Sequence, residues 1–548
     1  MANAYLDRIY QLFHNKSRFH PGRLNEKAQS MIEELFWLYT GKMSHFERAG
    51  LQHVWSIHGS ENHEMMHYSN ALMALQVLKN CPKYKHRKLP DGRSVQAHYD
   101  VWNTYYKEYC VSRAKHGLLV ELFSMYGPSY TLPEITNMRD FSEDKLLREQ
   151  MDKLLHLIWA DWAVGQITGV RGGGRTRLYQ DDSKNENKLT QWGARDRWRT
   201  MSHYFLDNVT WWKQDRVPNH PIHGAWFVYA TTGYRLPDVI MDIALDVKGR
   251  GDYVNITRRI TKQGKLTAKN VPVTYSPWYA FDPKDPRMLG YDYCTPDYVM
   301  GSLIIDPSLP QVNSNSYTKG QDLKEGYPNL TTQNRYHAIV FASDINARVL
   351  PQCEGLGNHK TYGQQQAVQH ENLLLVQRHA NARQSGDMRV IWGGKGMKDR
   401  LVIRNGWMIL EEGDAWLGVK GFSRSKENTS CGSKWDNNVI QRMNDGNAPV
   451  AFVAGRKKHF ADLKSFNAYL NSFVGKLDSG WFVLSEGTKR SLALHLTSSK
   501  VPKVNSEPVD LRPKMLFDSP FLKSIHGTGS VTIQKGNREL KIDMSKVK

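Results

Sequence analysis

The stretch HGSENHE concentrates chemically active side chains just ahead of an apolar helical pattern. His63 and His67 are four residues apart, so on a helix they share one face. With Glu64 between them they spell H-E-M-M-H, the HExxH pattern in which two histidines bind zinc and the glutamate is the general base. A plain helix start is the other interpretation, with Ser60 or Asn62 as cap and Glu64 in the first turn.

The zinc interpretation lacks two further features that a metallopeptidase needs. A third ligand must follow downstream, and Glu108 lies at a suitable separation without any pattern that marks it. The residues before His63 favour helix, so no edge strand is predicted to hold a peptide. The helix-cap interpretation, in turn, does not explain why Asn62 and His63 stand together with His58. A metal site is therefore not the first prediction, although zinc metallopeptidase remains an alternative.

Helical elements must position this stretch, because apolar residues recur at three- and four-residue spacing up to about residue 250. Asn25 and Ser142 precede acidic residues as helix caps would. The predicted helical segments are 25–43, 61–80, 94–126, 142–169, 195–212 and 223–247.

After about residue 330 the apolar period changes to two, which predicts strands. The turn signals Asn405-Gly406 and Gly536-Asn537 separate several of them, and 459–473 is predicted to be a helix. The predicted strand segments are 336–343, 367–378, 388–394, 400–422, 449–455, 480–487, 490–498 and 529–544. Helices followed by strands indicate two domains, at 1–250 and 331–548, with 251–330 as the junction.

The composition is that of a globular protein with an excess of positive charge. The 548 residues are 40% hydrophobic and 23% charged, and no apolar run is long enough to span a membrane. Five scattered cysteines without a CxxC pair exclude a thiolate zinc site and argue against a disulfide scaffold. The net charge of +20 attracts polyanions, and no nucleic-acid-binding module is recognisable.

This layout resembles the heparinase, alginate and chondroitin lyases, in which an (α/α) toroid of helical hairpins precedes an antiparallel β-sandwich domain. The resemblance covers almost the whole chain in layout and is specific only in short stretches. It implies metal-independent β-elimination on an anionic, uronate-containing polysaccharide, without a cofactor. It also implies a secreted or periplasmic protein, although the first residues contain no apolar signal region.

In these lyases an adjacent Asn-His pair acts at the uronic acid, so the resemblance assigns catalysis to Asn62 and His63. Asn62 would neutralise the substrate carboxylate while His63 assists it or acts as the base, and Glu61 would bind substrate beside them. Tyr293 and Tyr298, in GYDYCTPDYVMGS, resemble a tyrosine-bearing loop that closes the lyase groove, and both are candidate proton donors.

The remaining candidates come from three other stretches. Related lyases bring a histidine from the β-domain over the groove, and His370 in QHEN is the choice here, with His337 as its rival. His223 in VPNHPIHGAWF would line the same cleft. The glycine-rich stretch VRGGGRTRLYQDD contains Arg175, Arg177 and Tyr179, and arginine forks match sulfate or carboxylate groups.

Two more alternatives stay open. A glycoside hydrolase of the toroid type would use carboxylates such as Glu61 and Asp161 as acid and base. A non-catalytic polyanion-binding protein would use the positive charge alone. The oligomeric state is not predicted.

Overall fold

The structure is a computed structural model. It describes residues 2–58, 61–121, 123–124, 126–176, 190–191, 193, 196–206, 225–260, 278–308, 335–353, 365–378 and 387–546. The α-helices are α1 (Ala2–Phe13), α2 (Glu26–Met43), α3 (Glu61–Asn80), α4 (Val95–His116), α5 (Leu132–Phe141), α6 (Lys145–Val164), α7 (Arg197–Leu206), α8 (Ala225–Thr231), α9 (Asp238–Leu245), α10 (Val247–Arg250) and α11 (Leu463–Leu470).

The strands begin ahead of α3 and dominate the chain after residue 250. They are β1 (Ser56–His58), β2 (Gln166–Ile167), β3 (Val170–Arg171), β4 (Arg175–Thr176), β5 (Tyr253–Arg259), β6 (Trp278–Ala280), β7 (Met288–Cys294), β8 (Tyr298–Ile305), β9 (Arg335–Tyr336), β10 (Ala338–Phe341), β11 (Arg348–Cys353), β12 (Gln365–His370), β13 (Leu373–Arg378), β14 (Met388–Gly393), β15 (Val402–Arg404), β16 (Trp407–Glu412), β17 (Ala415–Gly421), β18 (Ser433–Trp435), β19 (Ile440–Met443), β20 (Val450–Arg456), β21 (Phe473–Asp478), β22 (Trp481–Glu486), β23 (Arg490–His495), β24 (Lys503–Val504), β25 (Glu507–Pro508), β26 (Met515–Asp518), β27 (Leu522–Ile525), β28 (Ser530–Lys535) and β29 (Arg538–Asp543).

The strands form three large antiparallel sheets. The first has twelve strands in the order β18-β19-β14-β11-β10-β8-β7-β5-β26-β27-β28-β29. The second has six, β12-β13-β20-β17-β16-β15, and the third has five, β21-β22-β23-β24-β25. Three two-stranded pairs, β1-β6, β2-β3 and β4-β9, complete the described pairing.

Shared cores show how these sheets are layered. One apolar cluster combines residues of β8, β10 and β14 with residues of β13, β17 and β20, so the twelve- and six-stranded sheets pack face to face. A second combines the opposite face of β13 and β20 with α11 and with β22 and β23, which places the five-stranded sheet on the other side. The three large sheets therefore stack as layers, and the β-sandwich that the resemblance implies stays a prediction.

The largest core joins the helices to the twelve-stranded sheet. It contains the apolar faces of α2 to α6 together with Cys294 and Val299 of the central strands and Leu516 and Ile533 of the last ones. The helical and β regions thus share one continuous apolar interface over the described residues.

The predicted order of helices before strands is confirmed. Asn25 caps α2 by accepting the Ala28 amide at 2.8 Å, as predicted. Ser142 instead ends α5, and Asp144 caps α6 by accepting the Leu147 amide at 3.0 Å. Among the described helices, none is both long and apolar enough to cross a membrane. The five cysteines are all free, and closure of the helices into a toroid stays a prediction.

The segment predicted to be the junction, 251–330, also contributes strands. Its described residues supply β5, β7 and β8, which lie in the middle of the twelve-stranded sheet, so the β region begins at Tyr253. The many Pro and Asp residues of this segment obscured the alternating pattern of its strands. The turn Asn405-Gly406 is confirmed, since both residues have positive φ (51° and 78°), as a type I′ hairpin requires.

Candidate active site at the start of α3

The first turn of α3 is held in place by a buried carboxylate. Glu61 accepts the backbone N–H of Glu121 at 2.8 Å, and its second oxygen lies 3.3 Å from Arg113 of α4. Arg113 in turn lies over the rings of Trp55 (3.8 Å) and Tyr109 (4.4 Å). Burial raises the pKa of Glu61, and the charge of Arg113 opposes that shift.

Glu61 was predicted to bind substrate, and that role stays a prediction. Its side chain is 4% exposed and engaged with Arg113 and a backbone amide, so it positions the helix start. The residue type alone does not distinguish a polar side chain that caps a helix from one that binds a substrate. The distinction depended on Arg113, a residue more than fifty positions away in the sequence.

Glu64, the glutamate of the HExxH pattern, also points into the protein. Glu64 pairs with Arg48, which is fully buried and also donates to the carbonyl oxygens of His53 (3.0 Å) and Ser56 (2.5 Å). The Arg48 guanidinium lies 5.4 Å from the ring centroid of Tyr68. Glu64 is thus turned away from the surface on which His63 lies, a geometry unlike that of a base acting on zinc-bound water.

The two histidines of the pattern lie on the outer face of α3. His63 is exposed, His67 is half-buried, and their ring centroids are 6.1 Å apart. Within the described residues, no group of three His, Cys, Asp or Glu side chains is arranged to hold a metal ion. The residues before His63 form β1, paired with β6, where the sequence predicted helix, although this strand is only three residues long.

Asn62 lies between the buried and exposed sides of this turn. It is 3% exposed and precedes the exposed His63, so a buried carboxamide adjoins an exposed histidine. Both lie in the first turn of a 20-residue helix, where the aligned peptide dipoles and N–H groups favour negative charge.

The segment before α5 lies beside this turn. Ser69 and Asn70 of α3 donate to Glu134 at 3.1 and 3.2 Å, and Gln76, further along α3, donates to the Phe141 carbonyl at 2.8 Å. Contacts therefore advance in the same direction along both helices, so α3 and α5 are parallel with their N-termini at one end.

Two tyrosines and an arginine occur at that end. The π-helical segment Gly127–Thr131 leads into α5. Tyr126 immediately precedes this segment, and its ring lies 5.4 Å from that of Tyr130. Arg197, the first residue of α7, donates to Ser129 at 3.0 Å, which adds a third helix N-terminus. Sequence reasoning missed these residues; the four-residue spacing of the tyrosines in MYGPSY was the available signal.

The predicted tyrosines occupy a different part of the molecule. Tyr293 and Tyr298 lie on β7 and β8, where the sequence predicted a loop, and Pro296 lies in the turn between them. Their rings are 6.2 Å apart and belong to the core between the twelve- and six-stranded sheets. Asp292 projects from the other face of β7 and pairs with Arg171 at 2.9 Å, on the helical side.

His370 is the last residue of β12, an edge strand of the six-stranded sheet. The carbonyl oxygen of His370 accepts from Arg490 at 3.3 Å, and Arg490 lies 3.5 Å from Glu371. Burial raises the pKa of Tyr293 to about 12, with Glu371 adding to the shift and Arg490 opposing it. Burial also lowers the pKa of His370.

The predicted residues therefore form two groups. Glu61, Asn62 and His63 lie at the start of α3, whereas Tyr293, Tyr298 and His370 lie in and around the space between two sheets. His337, the rival of His370, is fully buried, and its Nδ1 accepts the Leu303 amide at 3.2 Å.

The predicted arginine-rich loop is described only in part. Arg175 is on β4, which pairs with β9, and its side chain is not described. Arg177, Tyr179 and His223 lie outside the described residues.

No protein-family model matches the chain, and no curated protein matches it. Among solved structures, the chain is similar to a chondroitin AC lyase of Streptomyces coelicolor A3, solved in complex with chondroitin sulphate. The two are 11% identical, the match covers 90% of this chain and 79% of that one, and the TM-score is 0.30. At this level of similarity the match establishes neither a shared fold nor a shared function.

Proposed function

We propose that the protein is a lyase that cleaves an anionic, uronate-containing polysaccharide by metal-independent β-elimination. The observation that carries this proposal is the first turn of α3, which presents a buried Asn62 and an exposed His63 at a helix N-terminus. The net charge of +20 favours a polyanionic substrate.

The chemistry explains why a carboxamide at a helix N-terminus is useful. Elimination removes the C5 proton of a uronate, and that proton is acidic only when the adjacent carboxylate is neutralised. The Asn62 amide and the positive end of the α3 dipole supply this neutralisation, and they stabilise the enolate that develops in the transition state. The ion pair of Glu61 and Arg113 holds the first turn of α3 in place, so these donors move little during the reaction.

His63 is the proposed base, because it is the exposed titratable group next to the carboxylate site. The departing O4 then needs a proton. Since Tyr293 and Tyr298 lie between two sheets, Tyr126 or Tyr130 beside the start of α3 is the proposed donor. Arg197, at the N-terminus of α7, adds positive charge at the same end of the helices.

The two enzymatic alternatives have less structural support. The glycoside hydrolase would need accessible carboxylates, whereas Glu61 is paired with Arg113 and Asp161 is fully buried between Arg171 and Arg259. The zinc metallopeptidase would need its glutamate to face the two histidines, whereas Glu64 turns inward to Arg48.

The direct test is incubation of the protein with alginate, glucuronan, ulvan and glycosaminoglycans, followed by ultraviolet absorbance of the C4–C5 double bond that elimination creates. Reducing ends without this absorbance would indicate hydrolysis. Salt-sensitive binding without turnover would indicate the non-catalytic polyanion-binding protein.

Three variants connect the activity to α3. Asn62→Asp keeps the side-chain size and suits a helix N-terminus, but it repels a uronate carboxylate, so kcat/KM should fall about 10²–10³-fold. His63→Gln should lower kcat about 10²–10⁴-fold through loss of the base. The matched control is His67→Gln, one turn further along the same face, which should change turnover less than about twofold.

Equal losses in the His63 and His67 variants would contradict the assignment of the base. Unchanged turnover in Asn62→Asp, with the fold intact by circular dichroism, would refute the carboxylate-binding role.

A further inference from the structure

A serine, a histidine and an aspartate are connected by hydrogen bonds at a second place in the helical region. Ser44 Oγ lies 2.8 Å from His98 Nδ1, and His98 Nε2 lies 2.9 Å from Asp91 Oδ2. Ser44 follows the last residue of α2, and His98 lies in the first turn of α4. Trp102, one turn along α4, points its indole nitrogen at Ser44 Oγ at 3.1 Å.

The chemistry of the partners determines the direction of each hydrogen bond. Partial burial raises the pKa of Asp91, but hydrogen bonds from Arg93 and His98 leave it below its usual value, so Asp91 is an ionised acceptor. His98 therefore donates from Nε2, and its Nδ1 accepts from the Ser44 hydroxyl. The indole N–H of Trp102 is only a donor, so it donates to Ser44 Oγ.

This relay has the roles of a Ser-His-Asp triad, with the two imidazole nitrogens exchanged relative to the usual arrangement. Burial lowers the pKa of His98, and the interaction with Asp91 opposes that shift. The imidazole is consequently neutral at neutral pH, as a general base must be.

The serine lies on the wall of an open cleft of about 350 Å³. This volume is at the lower end of the range for small-molecule sites, so the cleft suits a small group. Its lining includes Ser44, His45, Phe46, Glu47, Asp91 and Arg93.

We propose that Ser44, His98 and Asp91 form a second, hydrolytic centre that acts on small acyl esters. Ser44 Oγ attacks the acyl carbonyl carbon while His98 Nδ1 takes the hydroxyl proton. The ester C–O bond then breaks, and the alcohol leaves with that proton. Water next adds to the acyl-serine, giving a proton to His98, which returns it to Ser44 Oγ as the carboxylic acid leaves.

The charged and titratable side chains around His98 are Asp91, Arg93, Glu47 and His45. Arg93 lies 3.0 Å from Asp91 and 2.9 Å from Glu47, so both of its charge partners border the cleft. His45 adjoins His98, and burial lowers its pKa, with the charge of His98 adding to the shift. The Phe46 ring packs edge-on against the His98 ring at 5.3 Å. Asp91 is therefore the anion that directly faces the imidazole.

The test uses a fluorophosphonate probe on the full chain, with the modified residue identified by peptide mass spectrometry, and p-nitrophenyl acetate as substrate. We expect covalent labelling at Ser44 and ester hydrolysis that falls to the background rate in Ser44→Ala. His98→Gln and Asp91→Asn should each lower the labelling rate about 10²–10⁴-fold. The labelling rate should rise with pH around a midpoint below the usual histidine value, because neutral His98 is required.

The matched control is Ser112→Ala. Ser112 also accepts an indole N–H, from Trp55 at 2.6 Å, but no bond from its hydroxyl to a histidine is described. Its loss should leave labelling at Ser44 unchanged, and Ser44→Ala should leave polysaccharide elimination unchanged. A network that only holds α2 against α4 would give no labelling of wild-type Ser44, and that result would overturn the proposal. Labelling that persists in folded His98→Gln would overturn it as well.

Discussion

The buried pair of Arg48 and Glu64 offers a sharp test of how the start of α3 is built. Glu64→Gln keeps the shape of the side chain but removes its charge, which leaves the fully buried Arg48 without its counter-ion. Arg48 retains its bonds to two backbone carbonyl oxygens, so the loss arises mainly from the charge. Breaking one partner of a buried ion pair typically costs about 3–5 kcal/mol.

The expected result is a large loss of stability with little direct effect on chemistry. For a helical region of this size, about 3–5 kcal/mol lowers Tm by about 6–20 °C. Differential scanning calorimetry measures this shift, and turnover is assayed well below the lowered Tm, where it should stay within about threefold of wild type. The matched control is Glu149→Gln, which removes an exposed pair with Lys145 at 3.7 Å and should cost less than about 0.5 kcal/mol.

A zinc peptidase predicts the opposite pattern for Glu64→Gln. In such an enzyme Glu64 is the general base, so replacing it with Gln would leave the stability unchanged and abolish peptide hydrolysis. An unchanged Tm together with abolished peptide hydrolysis would therefore refute the structural role of Glu64 and favour a zinc site at the HExxH pattern.

Three further predictions follow from burial. Burial raises the pKa of Glu134 to about 8, so the folded state holds this proton more tightly than the unfolded state. The free energy of unfolding should therefore fall by up to about 5 kcal/mol as pH rises from about 4.5 to about 8. Glu134→Gln should remove this contribution, and the same pH dependence of urea denaturation in wild type and variant would contradict the prediction. Tyr298→Phe should leave polysaccharide turnover within about twofold, because Tyr298 lies between two sheets, and a loss comparable with that of Asn62→Asp would show that it reaches the substrate. Arg171→Met should destabilise the protein by about 3–5 kcal/mol, because it leaves the buried Asp292 carboxylate without its paired arginine, and a denaturation midpoint equal to wild type would contradict this.

Local periodicity was sufficient to predict the long helices α2, α3, α4 and α6 and many of the strands after residue 330. A three- to four-residue period marks helices and a two-residue period marks strands, because each reflects how side chains project from one backbone geometry. Asn25 and the Asn405-Gly406 turn were predictable for the same reason, since their conformations depend on neighbouring residues. The central strands β5 and β7 were missed because the Pro- and Asp-rich sequence around them favoured a loop.

The candidate site was predictable only in part. The adjacency of Asn62 and His63 is a property of the sequence, and so is their place at a helix start. The sequence does not show which side chains of that turn are structural, because this depends on Arg113 and Arg48 of other elements, toward which Glu61 and Glu64 turn inward. The same residue types on the same turn could have faced a substrate had those arginines been elsewhere.

The tyrosines show what only tertiary structure decided. Asp292 and Tyr293 lie on opposite faces of β7, since successive side chains of a strand alternate. Which face meets the helices depends on non-local contacts: Asp292 finds Arg171 after α6, whereas Tyr293 and Tyr298 enter the core shared with a second sheet. Local pattern determines which residues share a face, and burial against distant elements determines what that face can reach.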